Sequence, residues 1–174
     1  IVYMVILAIE AAVCGGSVAL LSGGSVVGSW HSPGQVSHSD ELIVRLAEIF
    51  DRSGVSKREV TRVAVSNGPG SYTGLRIGLA TARGFATAFR VPCVGVSTLR
   101  AMANAAETTD PKICVVPLGR GGFCWQRYES SSSLLPATGT LSELAKVINE
   151  APEATVIAHE QAFMQLAELA LPGT

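Results

Sequence analysis

The sequence predicts an α/β chain that begins one plan twice, a meander of short strands followed by alternating helices and strands, with the second pass abbreviated. Three observations predict it. An apolar strand pattern reaches a glycine-proline turn at 68–70 and opens a long glycine-spotted helix that runs to residue 89. A strand, a glycine turn and a second strand occur at 4–21 and again at 113–128. A polar passage, Glu107 to Pro111, lies between the two passes. The expected division is therefore a first lobe at 1–106 and a partial second lobe at 107–174.

The elements follow in order. Met4 to Ile9 reads as a strand ending at Glu10, Ala11 and Ala12; Val18 to Leu21 forms a second after Gly15 and Gly16; Ser22, Gly23 and Gly24 turn it into a third over Ser25 to Trp30. A helix is predicted from Ser39 to Phe50, with Ser39 as its cap, Asp40 and Glu41 in its first turn, and Leu42, Ile43, Leu46, Ile49 and Phe50 as its apolar face. A polar link through Ser53 to Glu59 leads to the central strand, Val63 to Ser66. Beyond the central helix, Pro92 starts a strand through Val96, and Ser97 or Thr98 caps a helix to Ala106. The second pass has strands at Ile113 to Leu118 and Phe123 to Tyr128, surface serines at Ser130 to Ser133, a helix at Thr140 to Asn149, a strand at Ala154 to Ala158 and a helix at Ala162 to Leu169.

The central helix carries the strongest local signal. Ser71 or Thr73 can cap it, and Leu75, Ile77, Leu79, Phe85 and Phe89 recur at helical spacing. Gly74, Gly78 and Ala82 make one row of small residues, and Ala80, Gly84 and Ala88 make another. Each internal glycine costs about 1 kcal/mol of helix propensity relative to alanine, so close approach by another backbone is the expected compensation. Periodicity leaves open whether that backbone belongs to this subunit or to a partner. The turn before the helix could point N–H groups at an anion. However, Gly68, Gly70 and Gly74 miss dinucleotide-motif spacing by one residue and no Gly-Lys-Ser/Thr follows, so a structural tight turn is an equal reading.

Composition narrows the function classes. With 48% hydrophobic and only 16% charged residues, the chain is too apolar for disorder and a covered face is expected. Thirteen Lys and Arg against 14 Asp and Glu leave a formal charge of −1, which disfavours RNA binding by the chain alone. Cys14, Cys93, Cys114 and Cys124 show no Cys-x-x-Cys, and His31, His38 and His159 no His-x-x-x-His, so reduced thiols and no protein-built metal site are expected. The opening IVYMVILAI lacks a basic leader and reads as a strand rather than a signal peptide, and no stretch is long enough to span a bilayer, so a cytoplasmic protein is expected.

The phrases ILAIEAAV at 6–13, SVAL at 17–20, HSDELI at 38–43, NGPGSYTGLRIGLATARGFA at 67–86 and VPCVGVSTLRAMA at 91–103 resemble the bacterial TsaB family, also called YeaZ. The match is dense over the first 103 residues. The resemblance implies an actin-like fold, shared with sugar kinases and the Hsp70 nucleotide-binding domain (the ASKHA fold), with duplicated lobes. It implies a non-catalytic subunit in making N6-threonylcarbamoyladenosine at position 37 of transfer RNA. Catalysis, and the ATP or ADP and metal, are expected on a TsaD-like partner, joined by a TsaE-like ATPase, with tRNA met through the complex. By family, the pairing surface comes from the helices around 39–50 and 74–88, which would put Leu42, Leu46, Gly74, Gly78 and Ala82 at the interface. The same surface could support a homodimer of the isolated chain.

Departures from the family pattern bear on chemistry. Where the family usually has Asp-Thr-Ser after the first strand, this chain has Glu10, Ala11 and Ala12, and where it tends to have acidic residues in the second lobe, this chain has Pro117 to Gly122. Glu10, Gly68 and Gly70 therefore stand as a vestigial phosphate site, with no catalytic and no metal-ligating residue expected. The chain also ends earlier than the family usually does, as a divergent short form or a truncated product, and Met4 matches the family's start. The alternatives are a small actin-fold phosphotransferase, for which Glu10 alone is insufficient, and a hydrolase, in which Ser71 or a cysteine would need a base that the histidine spacing does not supply.

Overall fold

The computed structural model describes residues 3–13, 15–32, 39–108, 111–129 and 133–170. Cys14, His38, residues 130–132 and the side chains of Ser39 and Asp40 lie outside what is described. The chain divides into two compact units, Ile1–Val96 and Ser97–Thr174.

In the first unit, β1 (Val5–Glu10), β2 (Ser17–Ser22) and β3 (Ser25–His31) form an antiparallel meander. A helix, α1 (Ser39–Ser53), crosses over to β4 (Arg62–Ser66), which lies parallel to β1, and α2 (Tyr72–Phe89) crosses over to β5 (Cys93–Val96), parallel to β4. The sheet order is β3-β2-β1-β4-β5. Alternation along β1 puts Val5, Leu7 and Ile9 on one face, where they meet Val18, Leu20, Val63 and Val65 from the neighbouring strands. Leu42, Leu46, Ile49 and Phe50 of α1 and Ala82 and Ala86 of α2 complete this core. Both helices therefore cover the same face of the sheet, and Phe50 stacks on Phe85 at a ring separation of 5.8 Å. The opposite face of β1 and β4 carries Ala8, Ala64, Glu10 and Ser66.

The second unit repeats the plan with one strand fewer among the described residues. Its meander is β6 (Lys112–Pro117), β7 (Phe123–Tyr128) and β8 (Ala137–Gly139); α4 (Leu141–Asn149) leads to β9 (Thr155–Ala158), parallel to β6, and α5 (Glu160–Ala170) follows. The sheet order is β8-β7-β6-β9. Ile113, Val115, Phe123 and Trp125 face Leu144 and Ala162 of the helices. A capping box joins Thr140 and Glu143 at the start of α4.

The helix α3 (Thr98–Ala105) belongs to the second unit, so the division falls before it, at Val96, and not after it at residue 106. The cause is local: α3 packs on β6 and β7, Lys112 donates to the carbonyls of Ala103 and Ala106 at its C-terminus, and the Arg100 guanidinium lies 5.1 Å from the Tyr128 ring centre. Strand β8 was not expected from the sequence. At three residues, Ala-Thr-Gly, it is too short to show alternation and exists through its pairing with β7.

Candidate functional site

The turn at Gly68–Gly70 and the loop after β1 meet at the N-terminus of α2. Gly68 has a φ of +101° and Gly70 of +156°, and the Gly68–Pro69 bond is cis. Ser71 caps α2 by accepting from the Gly74 N–H at 3.2 Å. That role accounts for Ser71 without any nucleophilic one. The loop after β1 presses into this turn. The Ser71 N–H donates to the Ala12 carbonyl at 2.5 Å, and a Cβ on Gly70 would come within 2.1 Å of the same oxygen.

Glu10 closes the other side. One of its carboxylate oxygens, Oε1, accepts from the backbone N–H groups of Ala12 and Val13, the latter at 3.0 Å, and from the Ser66 hydroxyl at 3.4 Å. Burial pushes the Glu10 carboxyl above the usual carboxylate range, against the lowering pull of those donors. Of the backbone N–H groups gathered here, those of Ala12 and Val13 are thus already taken by a carboxylate and that of Ser71 by a peptide carbonyl. A phosphate brought here would meet two acceptors and a negative charge, so these residues do not fit one. Two surface hollows, of about 320 Å³ beside Phe50 and Phe89 and about 80 Å³ beside Trp30 and Ile49, involve none of Glu10, Gly68 or Gly70.

The faces of α1 and α2 are sorted by the same packing. Gly74, Gly78 and Ala82 look inward: a Cβ on Gly74 would fall 1.8 Å from the Ala11 carbonyl oxygen, one on Gly78 would fall 3.1 Å from the Ala11 Cβ, and Ala82 is fully buried. Leu42 and Leu46 are likewise buried in the first unit's own core. These five residues, expected at a partner interface, instead seat the two helices on their own sheet, because the β1 loop is the backbone that the thin row admits. The outward residues are different. Ile43 and Val44 of α1 are 65% and 55% exposed, and a Cβ on Gly84 of α2 would meet nothing within 4 Å. Ala80 and Ala88 are exposed with Gly84, so the second small row is the outer one. The sequence held a signal for α1: Leu42, Ile43, Val44 and Leu46 put more apolar residues into five positions than one helical face can bury.

Cys93 is exposed, Cys114 and Cys124 are buried, and burial pushes the Cys114 thiol up to about 11. Among the described residues no group of three or more His, Cys, Asp or Glu side chains is placed to hold a metal ion, and no helix is long and apolar enough to cross a membrane.

Residues 34–171 match the family model described as "TsaD: tRNA N6-adenosine threonylcarbamoyltransferase". The tRNA threonylcarbamoyladenosine biosynthesis protein TsaB of Escherichia coli (strain K12) is 38% identical over 129 residues, which are 72% of this chain and 55% of that protein. The chain therefore spans about half the length of that curated relative. Two solved structures are similar in fold. YeaZ from Pseudomonas aeruginosa has a TM-score of 0.69 at 24% identity, covering 78% of this chain and 66% of its own. A second, described as "an uncharacterized protein with similarity to peptidase YEAZ from Pseudomonas aeruginosa", has a TM-score of 0.73 at 21% identity, covering 96% and 91%. The fold they share with this chain is the two-lobed, actin-like α/β fold.

Proposed function

This chain belongs to the family of the TsaD tRNA N6-adenosine threonylcarbamoyltransferase model and is homologous to bacterial TsaB, and from that premise we propose that it is the non-catalytic subunit that binds and supports a TsaD-like catalytic partner in tRNA modification. The observation that carries this reading is the filled turn. Glu10 takes the Ala12 and Val13 N–H groups and the Ala12 carbonyl takes that of Ser71, so an incoming phosphate would meet acceptors where it needs donors, and the chain in this reading contributes a surface rather than a phosphate site. In this reading ATP and metal are handled by the partner, a TsaE-like ATPase joins the pair, tRNA is met through the assembly, and the setting is the cytoplasm.

The surface we assign to the partner is the outward side of α1 and α2, with Ile43, Val44, Ala80, Gly84 and Ala88 at its centre. It supports the reading because exposed aliphatic residues stand beside a glycine where another helix could approach closely. A second copy could occupy the same surface when no partner is present. The test is co-purification with the TsaD-like protein of the same organism, followed by a threonylcarbamoyladenosine assay with and without this chain. Modification that requires both chains is expected. Full activity of the TsaD-like protein alone, or phosphate release by this chain alone that is lost on changing Glu10 to Ala, would overturn the proposal.

A further inference from the structure

The outward side of α2 also carries charge of one sign. Arg76 and Arg83 stand two helical turns apart, about 10 Å along the axis, and Arg90 closes the helix in a left-handed conformation, with φ at 56°. All three are exposed, and the helix contains no acidic residue. Arg76 is held in place by Tyr72, whose ring lies 3.9 Å below the guanidinium and whose hydroxyl accepts from it. Neither Arg83 nor Arg90 forms an ion pair among the described residues. The cations on α1 behave differently, since half-buried Arg45 and exposed Arg52 both meet Glu48.

We propose that Arg76, Arg83 and Arg90 form the charged rim of the docking surface and read an acidic strip on the protein partner. The inference rests on the proposed partnership and adds the chemistry of its contact. On the wheel of α2 the three arginines lie along one side of the exposed row of Ala80 and Gly84, so an apolar centre with unspent positive charge along one edge results. A polyanion is a poorer occupant. The neighbouring helix carries Glu41, Glu48 and Asp51, the chain as a whole carries a formal charge of −1, and Ile43 and Val44 offer a nucleic acid backbone nothing to bind. A folded protein can set acids against α2 and keep them away from α1. A second copy would set the same arginine row against itself wherever α2 meets α2, so in that packing the charge favours a different chain over self-association.

Rim charges act chiefly on encounter, which defines the experiment. Association and dissociation rates of the TsaD-like partner are measured by surface-coupled binding at low and at high salt for the parent, for Arg83→Glu with Arg90→Glu, and for Arg83→Gln with Arg90→Gln. Circular dichroism checks that each folds. The charge reversal is expected to slow association about tenfold at low salt and to flatten its salt dependence, with dissociation little changed and the glutamine variant between the two. Unchanged association and salt dependence in both variants, against a parent that binds, would overturn this inference and leave the partnership standing. A parent that binds the partner at no salt concentration would overturn both. Binding of tRNA by the chain alone, lost in the reversal, would assign the arginines to nucleic acid and overturn the inference.

Discussion

At residue scale the same amino acid does opposite work at two places on one helix. Gly74 is required by space, since a Cβ would overlap the Ala11 carbonyl, whereas Gly84 faces open solvent and costs helix propensity with no return inside the subunit. Gly74→Ala should therefore destabilise by about 2 kcal/mol or more through forced displacement of the β1 loop, while Gly84→Ala should stabilise by about 1 kcal/mol, both read from urea unfolding midpoints. Glu10 makes a second test. Its carboxyl titrates above the ordinary value of 4.5 because burial disfavours the charged form. The neutral form is the better folded one, so its stabilising contribution is complete below the unfolded pKa and is lost as pH rises through the folded pKa. Glu10→Gln keeps an oxygen for the Ala12 and Val13 N–H groups without that ionisation. The variant should be at least as stable as the parent at pH 7, with the difference closing as pH falls below 4.5; a variant less stable at pH 7 than the parent would show that the negative charge itself is needed. The close approach at the glycine row was legible in the sequence, and the hydrogen bonds of Glu10 were not. Glu10 could be seen as the acidic residue kept while the two hydroxyls that usually follow it are replaced by Ala11 and Ala12, but a side chain turning back on its own loop depends on where β4 puts Ser66.

At the scale of elements the sequence read well wherever local chemistry decides. Ser71 caps α2, Ser97 caps α3, and the Gly-Gly turns join β2 to β3 as expected from side-chain capping and positive φ. The two small rows of α2 were visible as rows, and which one faced inward was not. Helical spacing fixes what shares a face and says nothing of what lies against it, and the deciding neighbour, the Ala11 and Ala12 backbone, comes from more than fifty residues earlier. For α1 helical spacing puts Ile43 on one apolar face with Leu42, Leu46, Ile49 and Phe50 and leaves Val44 outside it. Only the buried set of Leu42, Leu46, Ile49 and Phe50 shows that the surplus faces out. Strand β8, held by pairing alone, left no local trace.

At the scale of the molecule the duplicated plan was legible because both passes repeat a meander, a crossover helix and a strand parallel to the first. The boundary was less so, since the polar stretch after α3 suggested a linker while the contacts of α3 with β6 and β7 draw it into the second unit. In the proposed partnership the chain offers the outward side of two helices whose inward sides are committed to their own sheet. Calorimetric binding to the TsaD-like protein tests this most directly, with the parent, Gly84→Arg on the outer row and Ala82→Arg on the inner row, each checked for folding by circular dichroism. Gly84→Arg should keep the parent's spectrum and lose binding by about a hundredfold or more, because a large charged side chain would stand where a partner helix approaches, and Ala82→Arg should fail to fold because its site is fully buried. A Gly84→Arg chain that folds and binds as tightly as the parent would contradict the account and move the contact to another face.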